Sequence, residues 1–274
     1  MRRPWSSASE GARLRDELVT IASGAAAAIM AVRAGNLGVH LKADHSPVTA
    51  ADIAAEAVIL RGLAGVLPAL PVISEESAAP PRLDGSRAFV LVDPLDGTRD
   101  FISGSDEFTV NIAVVADGAP VLGVIAAPAQ GLVFTGLAGF GAERMALPPG
   151  APVAAATDRT SIATRTAPPD GPVALVSRFH RDPATDAWLD GYAGLVRLPC
   201  GSSLKFCRIA EGLADVYPRL SPTSEWDIAA GHAVLAAAGG AMTAPDGTPL
   251  RYGGTDGRFP VPGFLAAADR TRWL

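Results

Sequence analysis

Two aspartates, Asp93 and Asp96, stand three residues apart in the segment LVDPLDGTRDF at residues 91–101. They follow an apolar run, AFVLV at residues 88–92, that is typical of a buried strand. Two carboxylates ~4 Å apart repel each other by about 4 kcal/mol at an effective dielectric constant near 20. Because an unpaired buried carboxylate is costly, the pair predicts a bound cation.

Three further acidic residues lie, like this pair, at the end of a predicted strand or the start of a predicted helix: Asp52, Glu75 and Asp227. Asp52 follows Thr49 by three residues and Asp227 follows Ser224 by three, which is the aspartate form of a helix capping box. Helix capping and metal binding are therefore open alternatives for both aspartates.

The remaining acidic residues also have ordinary explanations. Glu75 and Glu76 fit a solvated pair, and Asp96 fits the N-cap of a helix that begins at Gly97. Asp93 is harder to explain in this way, because four apolar residues precede it and a proline, which has no backbone N–H, follows it.

A set of oxygen ligands suits a hard cation, Mg²⁺ before Ca²⁺. Carboxylates repel a phosphate, so metal ions would have to mediate its binding, and a pair of ions can clamp the attacking and leaving oxygens of a phosphoryl displacement. Gly97 and Thr98 then offer backbone amides to the phosphate at a helix start. The hydroxyl of Thr98 could orient the attacking water.

Competing catalytic sites lack their characteristic motifs. The sequence contains no G-x-x-x-x-G-K-[ST], no H-E-x-x-H and no G-x-S-x-G. Asp93 and Asp96 could serve as a glycosidase pair, but a glycosidase would not also need Glu75 and Asp227.

Composition indicates a well-packed globular protein. The chain has 274 residues, of which 49% are hydrophobic and 19% charged, enough for one large domain or two closely packed ones. The net charge of −5 argues against a nucleic-acid polymer as the main partner. The only cysteines, Cys200 and Cys207, indicate core positions in a reducing compartment.

The same features predict a cytoplasmic protein. The N-terminus lacks the apolar segment of a signal peptide. The stretch from Leu18 to Val32 contains polar residues and is shorter than the ~20 residues that a membrane span needs. No transmembrane segment is expected, while loose attachment to the inner face of the membrane stays open.

The first half of the chain predicts two helices followed by an antiparallel sheet. One helix runs from Ser9 to about Ala34, and a second begins after Thr49 and ends before Pro68. PVISEES reads as a short strand, and a Pro-rich linker at residues 78–81 precedes the strand that ends at Asp93. Asp-Gly at residues 117–118 predicts a hairpin, and GLVFTGLAGFGAERM continues the sheet.

The second half alternates strands and helices, which favours an α/β layer. Predicted strands are PVALVS, GLVRLP and ADVYPR, and predicted helices are PATDAWLDGY, SSLKFCRIAEG and SEWDIAAGHAVLAAAGG. Residues 148–169 are rich in Pro, Ala and Thr and indicate a seam between the halves. We therefore expect an α/β (α+β) fold whose N-terminal half, residues 1–150, carries most metal ligands and whose C-terminal half, residues 151–274, carries Asp227.

Several of these segments resemble a known family. DPLDGTRDF and EWDIAAGHAVLAAAGG resemble the inositol monophosphatase superfamily of Mg²⁺-dependent, lithium-sensitive phosphatases. KADHSPVTAAD, SEES, EFTVNIAVV and GSSLKFCRIAEGLADVYPR are similar to its bacterial 3′(2′),5′-bisphosphate nucleotidase branch. The resemblance covers nearly the whole chain and implies a layered α-β-α-β-α sandwich.

The resemblance also implies the metal ligands. Glu75 would bind metal, Asp93 would bridge two ions, the Leu95 carbonyl would bind one ion and Asp96 the other. Asp227 would complete the shell from the C-terminal half. The implied cofactor is Mg²⁺, roughly two or three ions per site.

Catalytic and substrate-binding residues follow from the same resemblance. Asp52 and Thr98 would activate the attacking water, with Glu75 also in the catalytic set, and the amides of Gly97 and Thr98 would hold the scissile phosphate. The residues that would face the phosphate and its metal ions are Glu75, Leu95, Asp96, Gly97, Thr98 and Asp227.

The segment GSSLK would meet the rest of the nucleotide. Candidates for the ribose and the second phosphate are Ser202, Ser203, Lys205, Arg219 and His180. Lys205 is one of only two lysines in the chain, which argues against an ordinary surface position. For His180, an inconsequential loop position is the alternative.

Two departures from the branch stand out. Arg99-Asp100 replaces the Lys-Glu that is commoner after DGT, and the charge signs are kept. Phe179 stands in SRFH where relatives often have a small polar residue.

The resemblance implies a Mg²⁺-dependent phosphomonoesterase that converts adenosine 3′,5′-bisphosphate to AMP and phosphate, a reaction linked to sulfur metabolism. An inositol-phosphate or histidinol-phosphate phosphatase on the same metal site is the alternative. A metal-stabilised binding protein is a second class, but it would need neither Asp52 nor Thr98. The sequence leaves open the preference among 3′,5′- and 2′,5′-bisphosphates and the sulfated precursor, the number of metal ions, and whether the protein is a monomer or a homodimer.

Overall fold

The computed structural model describes residue 5 and residues 7–42, 46–77, 83, 86–254 and 259–273. Its helices over these ranges are α1 (Ala8–Arg33), α2 (Ala50–Val66), α3 (Thr98–Ile102), α4 (Pro183–Asp190), α5 (Leu204–Ala210), α6 (Glu225–Ala237) and α7 (Arg270–Trp273). The predicted helices are confirmed, with Ser7, Thr49 and Ser224 at the N-caps of α1, α2 and α6. The Pro-rich linker at residues 78–81 lies outside the described residues.

A seven-stranded sheet takes up most of the first half of the chain. Before it, β1 (His40–Leu41) and β2 (Pro47–Val48) form a short antiparallel pair. The sheet contains, in spatial order, β3 (Val72–Ser74), β4 (Ala88–Asp96), β5 (Thr109–Ala116), β6 (Ala119–Ala127), β7 (Leu132–Leu137), β8 (Gly141–Ala146) and β9 (Thr157–Ile162). All neighbours pair antiparallel except β3 and β4, which are parallel.

The predicted hairpin connects β5 and β6. Asp117 and Gly118 form its turn with positive φ angles of 51° and 74°, a conformation that Asp-Gly sequences favour.

The second sheet is five-stranded and mixed. Its strands are β10 (Val173–Val176), β11 (Val196–Pro199), β12 (Val216–Arg219), β14 (Ala241–Thr243) and β16 (Phe264–Ala267). A separate antiparallel pair is formed by β13 (Thr223–Ser224) and β15 (Pro260–Val261). The spatial order β11-β10-β12-β16-β14 places the parallel strands on one side of the sheet. The strands β10, β11 and β12 are those predicted, whereas no sequence pattern predicted β14 or β16.

Alternating side chains of β4 enter two different cores. Val90 and Val92 pack with residues of α1 and α2, whereas Phe89 and Leu91 pack with residues of α5 and α6. The far face of the second sheet packs against α4 and α7. The order α1/α2, first sheet, α5/α6, second sheet, α4/α7 confirms the expected α-β-α-β-α sandwich.

Helix α6 lies directly on strands β6 and β7 because two glycines leave room for its backbone. A Cβ atom at Gly123 would lie 2.5 Å from the carbonyl oxygen of Ala230, and one at Gly136 would lie 2.5 Å from that of Ala233. Real Cβ contacts are never this short, so α6 can take this position only against glycine.

Two features differ from the expectation. The strand β4 continues past Asp93 to Asp96, because an irregularity lets the chain resume pairing with β5. Strand β9 lies within the predicted seam at residues 148–169 and extends the first sheet beyond residue 150. The division into residues 1–150 and 151–274 stays a prediction. No helix in the described part of the chain combines the length and apolar character that crossing a membrane requires.

Candidate metal centre and active site

A cavity of about 190 Å³ contains almost the whole predicted site. Its walls include twelve of the predicted residues: Glu75, Asp93, Leu95, Asp96, Gly97, Thr98, His180, Ser202, Ser203, Lys205, Arg219 and Asp227. Asp52 does not line the cavity but accepts a hydrogen bond from Thr98, which does. Residues that are up to 175 positions apart in the chain, Asp52 and Asp227, thus belong to one site.

Three carboxylates converge at one end of this cavity. One oxygen each of Glu75, Asp93 and Asp227 lies within 4.8 Å of the others. The parallel register of β3 and β4 sets Ser74 beside Val92, so Glu75 and Asp93 follow on adjacent strands. Helix α6 brings Asp227 to them from the second half of the chain.

The local structure of β4 explains how Asp93 turns toward the cavity. Asp93 pairs with Asn111 but Asp96 pairs with Thr109, so β4 has one extra residue in this interval. The backbone N–H of Leu95 donates to Asp93 Oδ1 at 3.1 Å, which holds the carboxylate at the bulge. Pro94, without a backbone donor, suits a position where the ladder is interrupted.

Burial and mutual repulsion raise the pKa values of these acids. Burial, and then the charges of Glu75 and Asp96, raise the pKa of Asp93 well above its ordinary value. Burial and Asp227 raise the pKa of Glu75 to about 7, and burial and Asp96 raise that of Asp227. Three carboxylates with only oxygen donors and an unfavourable negative charge fit a hard divalent cation.

Lys42 partly offsets this negative charge. Its Nζ donates to Glu75 Oε1 at 2.9 Å and to Glu76 Oε1 at 2.5 Å. Burial lowers the pKa of Lys42, but the two glutamates outweigh it and the net change is upward. Glu75 and Glu76 are therefore not a solvated pair, since both contact a lysine and Glu75 belongs to the carboxylate cluster.

Asp52 is both a helix cap and part of the site. Its Oδ2 accepts hydrogen bonds from the Thr49 N–H at 2.7 Å and the Thr49 hydroxyl at 2.6 Å. Its Oδ1 accepts from the Thr98 hydroxyl at 3.3 Å. The cap therefore occupies one oxygen of the carboxylate, and the other oxygen contacts Thr98 in the cavity wall.

Asp227 has the same double role in α6. The N–H of Ser224 donates to its Oδ2 at 3.0 Å, and the Thr223 hydroxyl donates to the same atom. Because the hydrogen bonds of the cap fix the Asp227 carboxylate, one of its oxygens is held within 4.8 Å of oxygens of Glu75 and Asp93.

Asp96 contacts the second half of the chain rather than capping a helix. Its Oδ2 accepts from the Ser203 N–H at 2.6 Å and from Asn111 Nδ2 at 3.4 Å. Gly97 is the N-cap of α3, with φ at +89°, so the alternative in which Asp96 caps that helix is wrong. A Cβ at Gly97 would lie 3.2 Å from the Cβ of Ser202, which leaves little room for another residue.

The other end of the cavity carries cationic side chains. Lys205 is buried, and its Nζ donates to the carbonyl oxygens of Cys200 at 3.1 Å and Ser202 at 2.7 Å. It therefore fixes the segment that carries Ser202 and Ser203, while it also lines the cavity. Arg219 donates through Nη2 to the Pro222 carbonyl at 3.0 Å, and its buried Nε has no hydrogen-bond partner among the described residues.

His180 lies at the exposed rim of this end. Partial burial disfavours the charged imidazolium, and the positive charge of Arg219 acts in the same direction. Together they lower the pKa of His180 to about 4. The imidazole is therefore neutral at physiological pH and can offer one donor and one acceptor.

An ion-pair cluster holds the surrounding loops together. Arg178 pairs with Asp100 of α3 and, at 2.5 Å, with Glu107 before β5. Glu107 Oε2 also accepts from the Gly201 N–H at 2.8 Å. The cluster thus joins α3, which begins with Thr98, to the loop after β10 and to the segment before α5.

Comparison with known proteins agrees with this geometry. The model of the inositol monophosphatase family matches residues 12–269. The chain is 43% identical over 254 residues to the 3′(2′),5′-bisphosphate nucleotidase CysQ of Escherichia coli K12. The aligned residues cover 91% of this chain and 97% of that protein. The chain belongs to the inositol monophosphatase family.

Solved structures of inositol monophosphatase family members share its fold. The crystal structure of CysQ from Bacteroides thetaiotaomicron is 33% identical, with a TM-score of 0.79 over 93% of this chain and 96% of that one. The inositol monophosphatase from Anabaena, 24% identical, has a TM-score of 0.71 over 94% of this chain and 90% of its own, a likeness of fold alone.

No role was predicted from the sequence for several residues that line the cavity or join its hydrogen-bond network. They are Lys42, Asn111, Arg178, Thr223 and Tyr217. Weak signals existed for two of them, since Lys42 is one of two lysines and Asn111 interrupts an apolar strand. The others become visible only when their partners are placed next to them.

Proposed function

We propose that this chain is a Mg²⁺-dependent phosphomonoesterase that removes the 3′-phosphate of adenosine 3′,5′-bisphosphate and leaves AMP. The observation that carries the proposal is the convergence of Glu75, Asp93 and Asp227 next to the Thr98–Asp52 hydrogen bond. The names of the relatives support the substrate, because those at 43% identity are 3′(2′),5′-bisphosphate nucleotidases.

The cations, roughly two or three Mg²⁺ ions per site, would be held by Glu75, Asp93, Asp96, Asp227 and the Leu95 carbonyl. When bound, Mg²⁺ would neutralise the carboxylates, polarise the phosphate and lower the pKa of a coordinated water. The raised pKa values of the acids support this role, because a divalent cation would favour their ionised forms.

Thr98 and Asp52 would activate the attacking water. The Thr98 hydroxyl has one proton, which lies within reach of Asp52 Oδ1 at 3.3 Å and of the Leu95 carbonyl oxygen at 3.2 Å. With this proton directed to Asp52, the Thr98 oxygen would accept a hydrogen bond from a water at the cavity wall, and as the water loses its proton to Thr98, Thr98 would pass its own proton to Asp52. Asp52 is oriented by three groups, the N–H and hydroxyl of Thr49 and the hydroxyl of Thr98, and cannot turn away. The amides of Gly97 and Thr98 would bind the phosphate oxygens.

The ribose and 5′-phosphate would lie toward Ser202, Ser203, Lys205, Arg219 and His180. The cationic character of this end supports a second phosphate there, whereas a substrate with one phosphate would leave it unused. We therefore favour the bisphosphate over the alternative of an inositol or histidinol phosphate. A cytoplasmic enzyme linked to sulfur metabolism fits this substrate.

The test is a substrate panel assayed by phosphate release with Mg²⁺, with and without Li⁺. Adenosine 3′,5′-bisphosphate should have the highest kcat/KM, above the 2′,5′-isomer, the sulfated precursor, inositol 1-phosphate and histidinol phosphate. Li⁺ should inhibit and EDTA should abolish the activity. Rapid turnover of inositol 1-phosphate without turnover of the nucleotide would reject the substrate and keep the metal chemistry.

A further inference from the structure

The ring of Phe179 is an exposed aromatic surface at the mouth of the cavity. The residue is 41% exposed, and it lines the cavity together with Ser177 and His180. No ring-stacking or cation–π contact involves this side chain in the described part of the chain. The side chain of Phe179 thus contributes exposed apolar surface to the cavity wall and makes no ring contact within the protein's described residues.

The backbone that carries this ring is fixed on both sides. Arg178 is tied to Asp100 and Glu107, and the His180 N–H donates to the Ser177 hydroxyl at 3.1 Å. A phenylalanine has only two side-chain torsions to restrict. Binding against its ring would therefore require little additional ordering.

Phe179 lines only the main cavity, but its chain neighbours Ser177 and His180 also line a region that lies away from the carboxylates. A second, smaller cavity adjoins the main one and shares four lining residues with it: Ser177, His180, Tyr217 and Arg219. None of the three metal-site carboxylates lines that second cavity. A substrate whose scissile phosphate sits at the carboxylates must extend toward this end, where Phe179 and His180 are neighbours in the chain.

We propose that Phe179 is the surface on which the nucleobase of the substrate stacks, so that this side chain contributes to the preference for nucleotides over other phosphate monoesters. The inference rests on the proposed function. Every base offers an aromatic face, and stacking on an aromatic side chain needs no particular hydrogen-bonding pattern. The contact therefore selects an aromatic base without selecting strongly among bases.

The experiment compares two substrates that differ only in the base: adenosine 3′,5′-bisphosphate and 1-deoxyribose 3,5-bisphosphate. For Phe179→Ser, the ratio of kcat/KM for the nucleotide to kcat/KM for the baseless compound should fall about tenfold, mainly through KM for the nucleotide. Phe179→Trp should keep the ratio because the indole also offers a stacking face.

Phe140→Ser is the matched control, since Phe140 is 50% exposed but does not line the cavity, and its ratio should match that of the wild type. An unchanged ratio in Phe179→Ser, or an equal fall in Phe179→Trp, would overturn the inference and leave the proposed function intact. A wild type that hydrolyses neither bisphosphate would overturn the proposed function, and the inference with it.

Discussion

The two ends of the cavity are built in different ways. The carboxylate end takes Glu75, Asp93 and Asp227 from the ends of strands and the first turn of a helix, and their pKa values are raised by burial. The other end takes its cationic side chains from α5 and β12, but Phe179 and His180 from an exposed loop. Regular elements and caps thus hold the charged groups of both ends, whereas a loop held by ion pairs carries the aromatic ring and the imidazole.

This difference teaches where rigidity is needed. Like charges held close together repel one another, and a divalent cation can bind them all only if their carboxylates are held in fixed positions. Under the proposed function, stacking on a base would tolerate small shifts, and the ion pairs of Arg178 would hold the loop firmly enough for it. Changes at the two ends should therefore have effects of different size and kind.

The largest effect is expected from Asp93→Asn. The amide keeps the shape of the side chain but removes the charge shared by the cations, so kcat/KM with Mg²⁺ should fall by at least about a thousandfold. The thermal midpoint in EDTA should not decrease, because the neutral amide no longer repels Glu75 and Asp96. Phosphate release and thermal unfolding measure the two quantities.

Asp158→Asn serves as the control for this change. Asp158 is exposed on β9 with φ at +49°, a conformation that asparagine tolerates. Its activity should equal that of the wild type. Retention of near-normal activity by Asp93→Asn would remove the basis for assigning metal binding to this end.

The second effect concerns pH in the absence of metal. The pKa of Glu75 is raised to about 7 from an ordinary 4.5, so between these values the folded protein holds a proton that the unfolded chain has released. Stability in EDTA should therefore fall as pH rises through this window, by about 3 kcal/mol for this group. Saturating Mg²⁺ should oppose the fall, because it binds the ionised form.

Urea unfolding at pH 5 and pH 8, with EDTA or Mg²⁺, measures this dependence. Glu75→Gln should flatten the slope in EDTA, and Glu17→Gln, on the exposed side of α1, should leave it unchanged. A stability in EDTA that rises from pH 5 to pH 8 would show that the carboxylates do not repel as described.

The smallest of the three effects is expected from Arg178→Gln, at the loop end. Loss of both ion pairs should loosen α3 and the loop that carries Phe179, and kcat/KM for the nucleotide should fall about tenfold. Arg13→Gln removes an exposed pair with Glu17 on α1, away from the cavity, and should have no effect on kinetics. Equal kinetics for Arg178→Gln and wild type would mean that the loop is held by other contacts.

Much of the carboxylate end could be predicted from the sequence because its residues lie in local patterns. Asp93 follows an apolar strand, and Asp52 and Asp227 stand three residues after Thr49 and Ser224. Local hydrogen bonding decides such positions. The same patterns left capping and metal binding as alternatives; the structure shows the cap on Oδ2 of Asp52 and a hydrogen bond from Thr98 on Oδ1.

The loop end could not be predicted to the same extent, because its contacts join segments far apart in the chain. Arg178 meets Asp100 and Glu107 across 78 and 71 residues. The bulge that extends β4 to Asp96 also depends on the partner strand β5, which an isolated strand pattern does not contain. Edge strand β9, with mostly exposed residues, lacks the apolar alternation that identifies strands.

The close packing of α6 on Gly123 and Gly136 affects the position of Asp227, which lies in the first turn of the same helix. The helix backbone touches these glycines at Ala230 and Ala233, three and six residues along from Asp227, or about 5 and 9 Å at the usual helical rise. A methyl group at either glycine would push α6 away from the sheet and move the Asp227 carboxylate away from those of Glu75 and Asp93. Gly123 and Gly136, which carry no functional group, thereby help to set the distance between the carboxylate of Asp227 and those of Glu75 and Asp93.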